Sequence, residues 1–302
     1  MLSIFKKELN QFFSNLTGYI AIILFLLINA VFLFILQDSS IFEFGYASLD
    51  KFFELAPWIL MFLVPAITMR SLSDEFRAGT FEILKTKPLS AWQIVLGKYF
   101  SILVVLLLAI LPTIIYIITI KALSNGGGIA WDELFTFSNL LFTFLVLAII
   151  IGVGFLFRSF FRNAQSIWLI SLALFFIYLF IKIISIVYGN IDSGGILGSY
   201  IGLFLLAAVF AAISLCCSGF TNNAVVAFLI SAFSCLILYF GFNALSKLPF
   251  FANGLDYYIE MLGIDFHYRS ISRGVLDSRD LIYFVSVIFL FLLITVKNLH
   301  KK

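Results

Sequence analysis

The chain has 302 residues, of which 63% are hydrophobic and only 12% charged, and its formal net charge is +3. Soluble domains carry about 25% charged residues, so this composition excludes an ordinary soluble protein. No nucleic-acid partner is expected. Several apolar runs are long enough to cross a bilayer core of about 30 Å, which takes about 20 helical residues. The composition therefore predicts an integral membrane protein.

Apolar runs of spanning length predict an all-α, polytopic membrane helical bundle with about eight transmembrane helices. The first run is longer than the core of a signal peptide and no small-residue cleavage site follows it, so we interpret it as an uncleaved span. The second run is short and contains two prolines, so we expect it to be broken or tilted. In chain order the runs are Thr17–Leu36, Leu55–Met69, Tyr99–Ile120, Ser138–Phe157, Ile167–Val187, Tyr200–Cys217, Ala224–Ala244 and Leu281–Val296.

The charges of the loops predict the orientation, because Lys and Arg are retained on the cytoplasmic side. With the N-terminus inside, the inner segments hold 12 Lys and Arg and 4 acidic residues, against 7 and 12 in the outer segments. Both termini are therefore expected in the cytoplasm. The basic residues of the last outer loop, Leu245–Asp280, run against this rule, but longer loops follow it less strictly.

One charge-dense segment, Arg70–Lys98, lies between the second and third spans on the predicted cytoplasmic side. Ser73 is suited to cap the start of a helix, and Asp74 and Glu75 would then lie in its first turn, where the helix dipole favours negative charge. Gly79 would interrupt this helix and allow another chain to approach closely. An apolar side would let the helix lie along the membrane surface, with contacts from Phe76, Phe81, Ile83 and Leu84.

The end of the segment is predicted from Pro88, which would stop the helix, and Ser90, which would start another that runs through Lys98 into the third span. Two interpretations of the segment are open on physical grounds. It is either a solvated loop whose charges obey the inside rule, or a docking surface for a cytoplasmic partner.

The segment SDEFRAGTFEILKTKPLSAWQIVLGK resembles the signature of ABC-2 type transporter permeases. In that signature an acidic pair, Arg, Gly-Thr, Glu-Ile/Leu, Pro-Leu and Gly-Lys recur after the second span. The nearest resemblance is to the permease subunit of the gliding-motility-associated ABC transporter of Bacteroidota. Four further stretches carry it: FFELAPWILMFLVPAITMRSLSDE, NIDSGGILGSYIGL, NNAVVAFLISAFSCLILYFGF and GIDFHYRSISRGVLDSRDLIYF.

This resemblance implies a single transmembrane domain over residues 1–302, with 70–98 as a cytoplasmic coupling segment. The coupling helix would contact a separate ATPase subunit through Asp74, Glu75, Arg77, Gly79, Thr80 and Glu82. Members of the family usually have six spans, so residues 121–188 are interpreted as an inserted helical pair. An even insertion leaves both termini on the cytoplasmic side.

The outer loop, residues 245–280, mixes aromatic and charged residues and is expected to form short interfacial helices. Tyr257, Tyr258, Phe266 and Tyr268 would lie near the lipid headgroups. A catalytic pair of Asp265 and His267 is disfavoured, because residues i and i+2 do not share a helix face.

The energy source is expected on another subunit. The sequence has no GxxxxGK[ST] phosphate loop, and the glycine-rich stretch Asn125–Gly128 lacks the Lys-Ser/Thr. Ion-coupled transporters place acids or histidines inside the membrane, whereas the predicted span interiors hold none, and only Lys182 comes near. No cofactor or metal is expected either, since His267 and His300 are far apart and the cysteines, all in apolar runs, are interpreted as small hydrophobic residues: Cys216, Cys217 and Cys235.

Together these features predict the permease subunit of an ATP-driven ABC-2 transporter in the cell inner membrane, a non-enzymatic chain that couples a cytoplasmic ABC ATPase to substrate export. One coupling segment per chain implies a second permease chain, identical or different. Two alternatives are open. The first is a membrane scaffold or mechanical coupler driven by the same ATPase, and the second is a polytopic membrane enzyme, for which no convergent acids, histidines or metal ligands are found.

Overall fold

The computed structural model describes residues 1–14, 16–35, 49–86, 89–114, 116–117, 193–251 and 254–301. Within these ranges the secondary structure is helical, without strands. Short 3-10 turns cover Leu111–Ile114 and Pro249–Phe251, and a π-helical turn, Ile237–Gly241, joins two helices. The α-helices are numbered here in the order described: α1 Leu2–Ser14, α2 Leu16–Phe34, α3 Asp50–Thr68, α4 Arg70–Arg77, α5 Thr80–Lys85, α6 Ala91–Ile110, α7 Ser193–Phe220, α8 Ala224–Leu236, α9 Phe242–Ser246, α10 Leu255–Glu260, α11 Ile264–Ser272 and α12 Ser278–Lys301.

Five helical segments in the described ranges are long and apolar enough to cross a membrane: Asp50–Arg77, Ala91–Ile114, Gly194–Phe220, Ala224–Ser246 and Ser278–His300. The pair α1 and α2, bent by 68°, makes a sixth if it is counted as one span. Six of the predicted spans fall on these helices. The other two, Ser138–Phe157 and Ile167–Val187, lie outside the described residues, as do the predicted inserted pair and Lys182.

The chain forms two compact units. The first contains Met1–Phe32, Asp50–Ala109 and Gly194–Lys302, and all the features discussed below belong to it. The second contains Leu33–Leu49 and Ile110–Ser193. In its described part, the rings of Phe34 and Tyr116 pack edge to face with their centroids 5.7 Å apart.

Helix α7 is the central helix of the first unit. In the most apolar stretch of α7, 83% of the residues are buried, against 28% in the corresponding stretches of Ala224–Ser246 and Ser278–His300. Small side chains make this possible, because they let neighbouring helix backbones approach closely, and the buried ones on α7 include Ala207, Ala208, Ala211, Ala212, Ser214 and Ser218. The outer helices α8 and α12 instead expose large apolar side chains such as Phe233 and Phe289, which suits a lipid environment.

The two ends of the first unit are marked by different contacts. At one end, here called the Tyr268 end, the buried hydroxyl of Tyr268 on α11 donates a hydrogen bond of 2.7 Å to the Phe53 carbonyl near the start of α3. Burial raises the pKa of this hydroxyl. The Tyr268 side chain is therefore buried within the bundle and not exposed to the headgroups as expected, and its ring lies beside Gly202 on α7 and Tyr239 in the π-helical turn. Tyr257 and Tyr258, by contrast, are exposed on the short helix α10.

Candidate coupling site

The end of α3 continues directly into α4. Met69, between them, has helical backbone angles, φ −52° and ψ −33°. The prediction that a helix begins at Ser73 is wrong, because an N-cap residue needs a free preceding backbone and here the helix arrives from the membrane side. The Ser73 hydroxyl instead donates to the Met69 carbonyl, one turn back in the same helix.

A serine on α7 holds this junction in place. The Ser218 hydroxyl donates to the Met69 carbonyl at 3.0 Å and accepts from the amides of Leu72 at 3.1 Å and Ser73 at 3.2 Å. Beside it, the Asn298 side chain on α12 donates to the Gly219 carbonyl at 2.7 Å. The ends of α3, α7 and α12 therefore meet at one place, at the opposite end from Tyr268.

We expect Ser218→Ala to lower the free energy of unfolding by about 1–3 kcal/mol, because two buried amides would lose their acceptor. The measurement is denaturant unfolding of the purified chain in detergent. Ser286→Ala is the matched control, since the Ser286 hydroxyl is exposed and bonds only within its own helix. Equal losses in the two variants would contradict the role given to Ser218.

Lys98 is the centre of a buried ion cluster at the same end. Its side chain is 0% exposed, and it lies within the segment Ala91–Ile114 that is long and apolar enough to cross a membrane. The ammonium contacts Glu8 Oε1 at 2.8 Å, Glu75 Oε1 at 3.0 Å and the Ser71 carbonyl at 2.7 Å. Two hydrogen bonds, to Glu8 and the Ser71 carbonyl, and a close ion pair with Glu75 thus compensate the buried charge. The helical segment Asp50–Arg77 is longer than the predicted span Leu55–Met69, and Glu75 lies beyond that span, near the end of the segment.

Helix α1 is held against α6 by this cluster and by a close backbone approach. A Cβ atom at Gly97 would lie 3.1 Å from side-chain atoms of Ile4, so a larger residue there would require α1 to shift by a few tenths of an ångström. Lys7, half exposed, adds a second cation to the cluster at 2.8 Å from Glu75 Oε1. We define the Lys98 cluster as Lys7, Glu8, Glu75 and Lys98. It joins α1, α4 and α6.

The turn between α4 and α5 projects beyond this cluster. Gly79 has φ +67°, the left-handed region that favours glycine, and no atom lies within 4 Å of the position of a Cβ. The predicted interruption at Gly79 is confirmed. The helix is interrupted because of the left-handed backbone conformation of Gly79, and the space beside Gly79 is open. Phe76 and Phe81 pack edge to face beneath the turn, with their centroids 4.9 Å apart. The turn therefore has an apolar base and a polar outer side.

The structure separates the six residues that the resemblance assigns to docking. Four of them are exposed together on the turn: Arg77, Gly79, Thr80 and Glu82. Asp74 is half-buried and lines a cavity beside α4. Glu75 faces inward, with a side chain only 11% exposed in the Lys98 cluster. We define the docking turn as residues 77–82.

A second turn adjoins the docking turn and was missed by reasoning from sequence. Arg77 lines an open groove together with Phe220 and the α7–α8 turn, Thr221, Asn222 and Asn223. The turn is ordered by Asn223, whose side chain accepts a 2.9 Å hydrogen bond from the Val225 amide and caps α8. An Asn before an apolar run is a cap signal, but sequence spacing does not reveal which loop it adjoins.

At the Tyr268 end, His267 pairs with a residue that the sequence did not indicate. His267 Nδ1 lies 2.6 Å from Asp280 Oδ1 and Nε2 lies 2.9 Å from the Met261 carbonyl, while Asp265 contacts Arg269. The hydrogen bond from Arg269 to Asp265 raises the pKa of the guanidinium. The described residues contain no group of three or more side chains arranged to hold a metal ion.

The comparison with known proteins bears directly on this region. Residues 43–184 match the model of a protein family that is described as "ABC-2 family transporter protein". The matched range contains α3 to α6, and with them the docking turn and two members of the Lys98 cluster, Glu75 and Lys98. No curated protein matches the chain. The match covers just under half of the chain. The apolar helices of spanning length in the described ranges agree with a multi-pass membrane protein.

Proposed function

We propose that the chain is the membrane-spanning subunit of an ATP-driven ABC-2 transporter and that its docking turn contacts a separate cytoplasmic ABC ATPase. The observation that carries the proposal is the ABC-2 match, whose range includes the docking turn. The resemblance of the sequence to permeases of gliding-motility-associated transporters suggests the finer assignment, in the inner membrane with both termini in the cytoplasm.

The surface of the docking turn suits a protein partner. Arg77 and Glu82 offer charges of both signs, and Gly79 and Thr80 leave open space between them. The groove beside Arg77, with exposed Phe220 at its edge, extends this surface. A mixture of exposed charge and an apolar edge is typical of transient interfaces.

The Lys98 cluster is suited to passing on a movement of the docking turn. Glu75 lies on α4, immediately before the turn, and its carboxylate is fixed by cations from α1 and α6. Ser218 ties the same helix to the central helix α7. A push on the docking turn would therefore move α1, α6 and α7 together, because packed and ion-paired elements shift as units. In this proposal Glu75 transmits the movement, and Asp74 lies beside the contact rather than in it.

The charge-reversal variants Arg77→Glu and Glu82→Lys are expected to reduce recovery of the ATPase at least tenfold, because each places a like charge against the partner. Such a penalty corresponds to about 1.4 kcal/mol or more. The measurement is affinity purification of the tagged chain from native membranes, with identification of the co-purifying ABC ATPase and assay of its turnover. Glu75→Arg is unsuitable for this purpose, since it would disrupt the Lys98 cluster itself.

The matched controls are Glu54→Lys and Arg279→Glu, which reverse exposed charges at the Tyr268 end. They should leave ATPase recovery unchanged, with equal amounts of all variants in the membrane. Undiminished recovery in both docking-turn variants would contradict the proposal. Comparison of ATPase turnover with substrate flux in a reconstituted complex then separates export from the scaffold alternative, which predicts turnover without flux.

The partner chain is proposed on symmetry. ABC ATPases close as pairs, and one permease chain offers one docking turn, so two permease chains are required to engage both ATPases. These chains are identical or different. Mass measurement of the intact complex distinguishes the two arrangements by the number of distinct permease chains that it contains.

A further inference from the structure

A cavity of about 260 Å³ lies beside the Lys98 cluster and has no part in the docking turn. It is bounded by α1, α2, α3, α4 and α6. Its apolar walls include Phe12, Ala21, Ala66, Ile102 and Val105, and its polar walls come mainly from the start of α4. Helix α2 exposes large apolar side chains next to it, such as Ile20 and Leu24. The cavity is therefore placed where a lipid can reach it from the bilayer.

The polar wall carries two opposite charges that the rest of the described chain leaves unpaired. Arg70 and Asp74 both line the cavity, and neither has an ion-pair partner among the described residues. They stand one helical turn apart on the same side of α4. The carboxylate of Glu8, also in the wall, is already bound by Lys98. The available charges are thus one cation and one anion.

The cation in the wall is suited to a phosphate group. Arg70 is exposed, and a guanidinium is a strong phosphate donor. Ser71 also lines the cavity, but its hydroxyl oxygen is buried and is not available to a ligand there.

One cation and one anion in the wall of the cavity favour some lipid headgroups over others. A phosphate near Arg70 and a primary ammonium near Asp74 would pair both free charges, as in a zwitterionic aminophospholipid. A choline headgroup has no N–H to donate to Asp74, and its recognition usually takes an aromatic cage, whereas Phe12 is the one aromatic ring among the described residues of the wall. An anionic headgroup would leave Asp74 unpaired and facing like charge.

We propose that the cavity beside α4 binds an aminophospholipid of the phosphatidylethanolamine type, with its phosphate at Arg70, its ammonium at Asp74 and its acyl chains along the apolar walls. This site does not depend on the proposed ATPase partner. A lipid bound there contacts α1, α2, α4 and α6 at once, and so stabilises the helices around the Lys98 cluster.

The test is lipid retention by the full-length chain. The chain is reconstituted into vesicles of equal parts phosphatidylethanolamine, phosphatidylcholine and phosphatidylglycerol, extracted into mild detergent, and its retained lipids are quantified by mass spectrometry. We expect phosphatidylethanolamine to be enriched at least threefold over each of the other lipids. Arg70→Gln, Asp74→Asn and the cavity-filling variant Ala66→Phe should each remove the enrichment.

The controls Arg279→Gln and Glu54→Gln neutralise exposed charges away from the cavity and should retain the enrichment. Equal retention of the three lipids by the wild-type chain would overturn the proposal. So would a preference for phosphatidylglycerol, or an enrichment that survives in the cavity variants. Circular dichroism of each variant verifies that it is folded, and because no ATPase is present, the result is independent of the docking proposal.

Discussion

Lys98→Met is expected to lower the free energy of unfolding by about 3–5 kcal/mol, the cost of leaving partners of a buried charge uncompensated. In the variant, Glu8 and Glu75 would face each other at a site where the ammonium now contacts both carboxylates within 3.0 Å. The measurement is denaturant unfolding of the purified chain in detergent micelles, together with the yield of folded protein in membranes.

Two further variants make this expectation specific. Lys7→Met should cost much less, because Lys7 is 51% exposed and its charge is largely solvated. The triple variant Glu8→Gln, Glu75→Gln, Lys98→Met should recover most of the stability lost in Lys98→Met, since no buried charge is then left unpaired. If Lys98→Met costs no more than Lys7→Met, or the triple variant recovers nothing, the cluster does not have the role assigned to it.

Gly274→Ala is the second substitution with a large expected effect. Gly274 has φ +84°, and a Cβ atom there would lie 2.9 Å from the Cα and N atoms of Gly195 at the start of α7. The strained backbone conformation costs about 1–2 kcal/mol and the overlap with another backbone typically adds about 1–3 kcal/mol. We expect a loss of about 2–5 kcal/mol, measured by the same unfolding titration.

The control for Gly274 is Gly254→Ala. Gly254 also has a positive φ, +93°, but no atom lies within 4 Å of its Cβ position. This variant should therefore lose only the backbone contribution, about 1–2 kcal/mol. Similar losses at Gly254 and Gly274 would mean that the close approach between Gly274 and Gly195 does not constrain the packing of α7.

Elements that depend on local pattern were predictable from the sequence. Ser90 caps α6 as expected, with its hydroxyl accepting from the Gln93 amide at 3.3 Å and the Gln93 side chain accepting from the Ser90 amide. The apolar runs locate six of the spans, because bilayer thickness fixes their length. The end of the helix at Gly79 follows from glycine's tolerance of positive φ.

Elements that depend on distant contacts were not predictable. Ser73 has the composition of an N-cap, yet its amide is satisfied by Ser218, which lies 145 residues further along the chain. Glu75 has the pattern of an exposed acid in a charged loop, but Lys98 and Lys7 draw it inward. The Gly-Lys pair at the end of the charged segment was the available signal in the sequence. Gly97 lets α1 pack closely against α6, and Lys98 binds the carboxylate of Glu8 on α1.

The most direct test of the central claim is site-specific photocrosslinking from the docking turn. A photoreactive amino acid replaces Thr80, which is exposed on the docking turn, or Tyr258, which is exposed at the Tyr268 end. In native membranes, the probe at position 80 should crosslink a protein that carries a GxxxxGK[ST] phosphate loop, with a yield that changes on addition of ATP, and the probe at position 258 should not. An ATPase captured from position 258, or from neither position, would contradict the account.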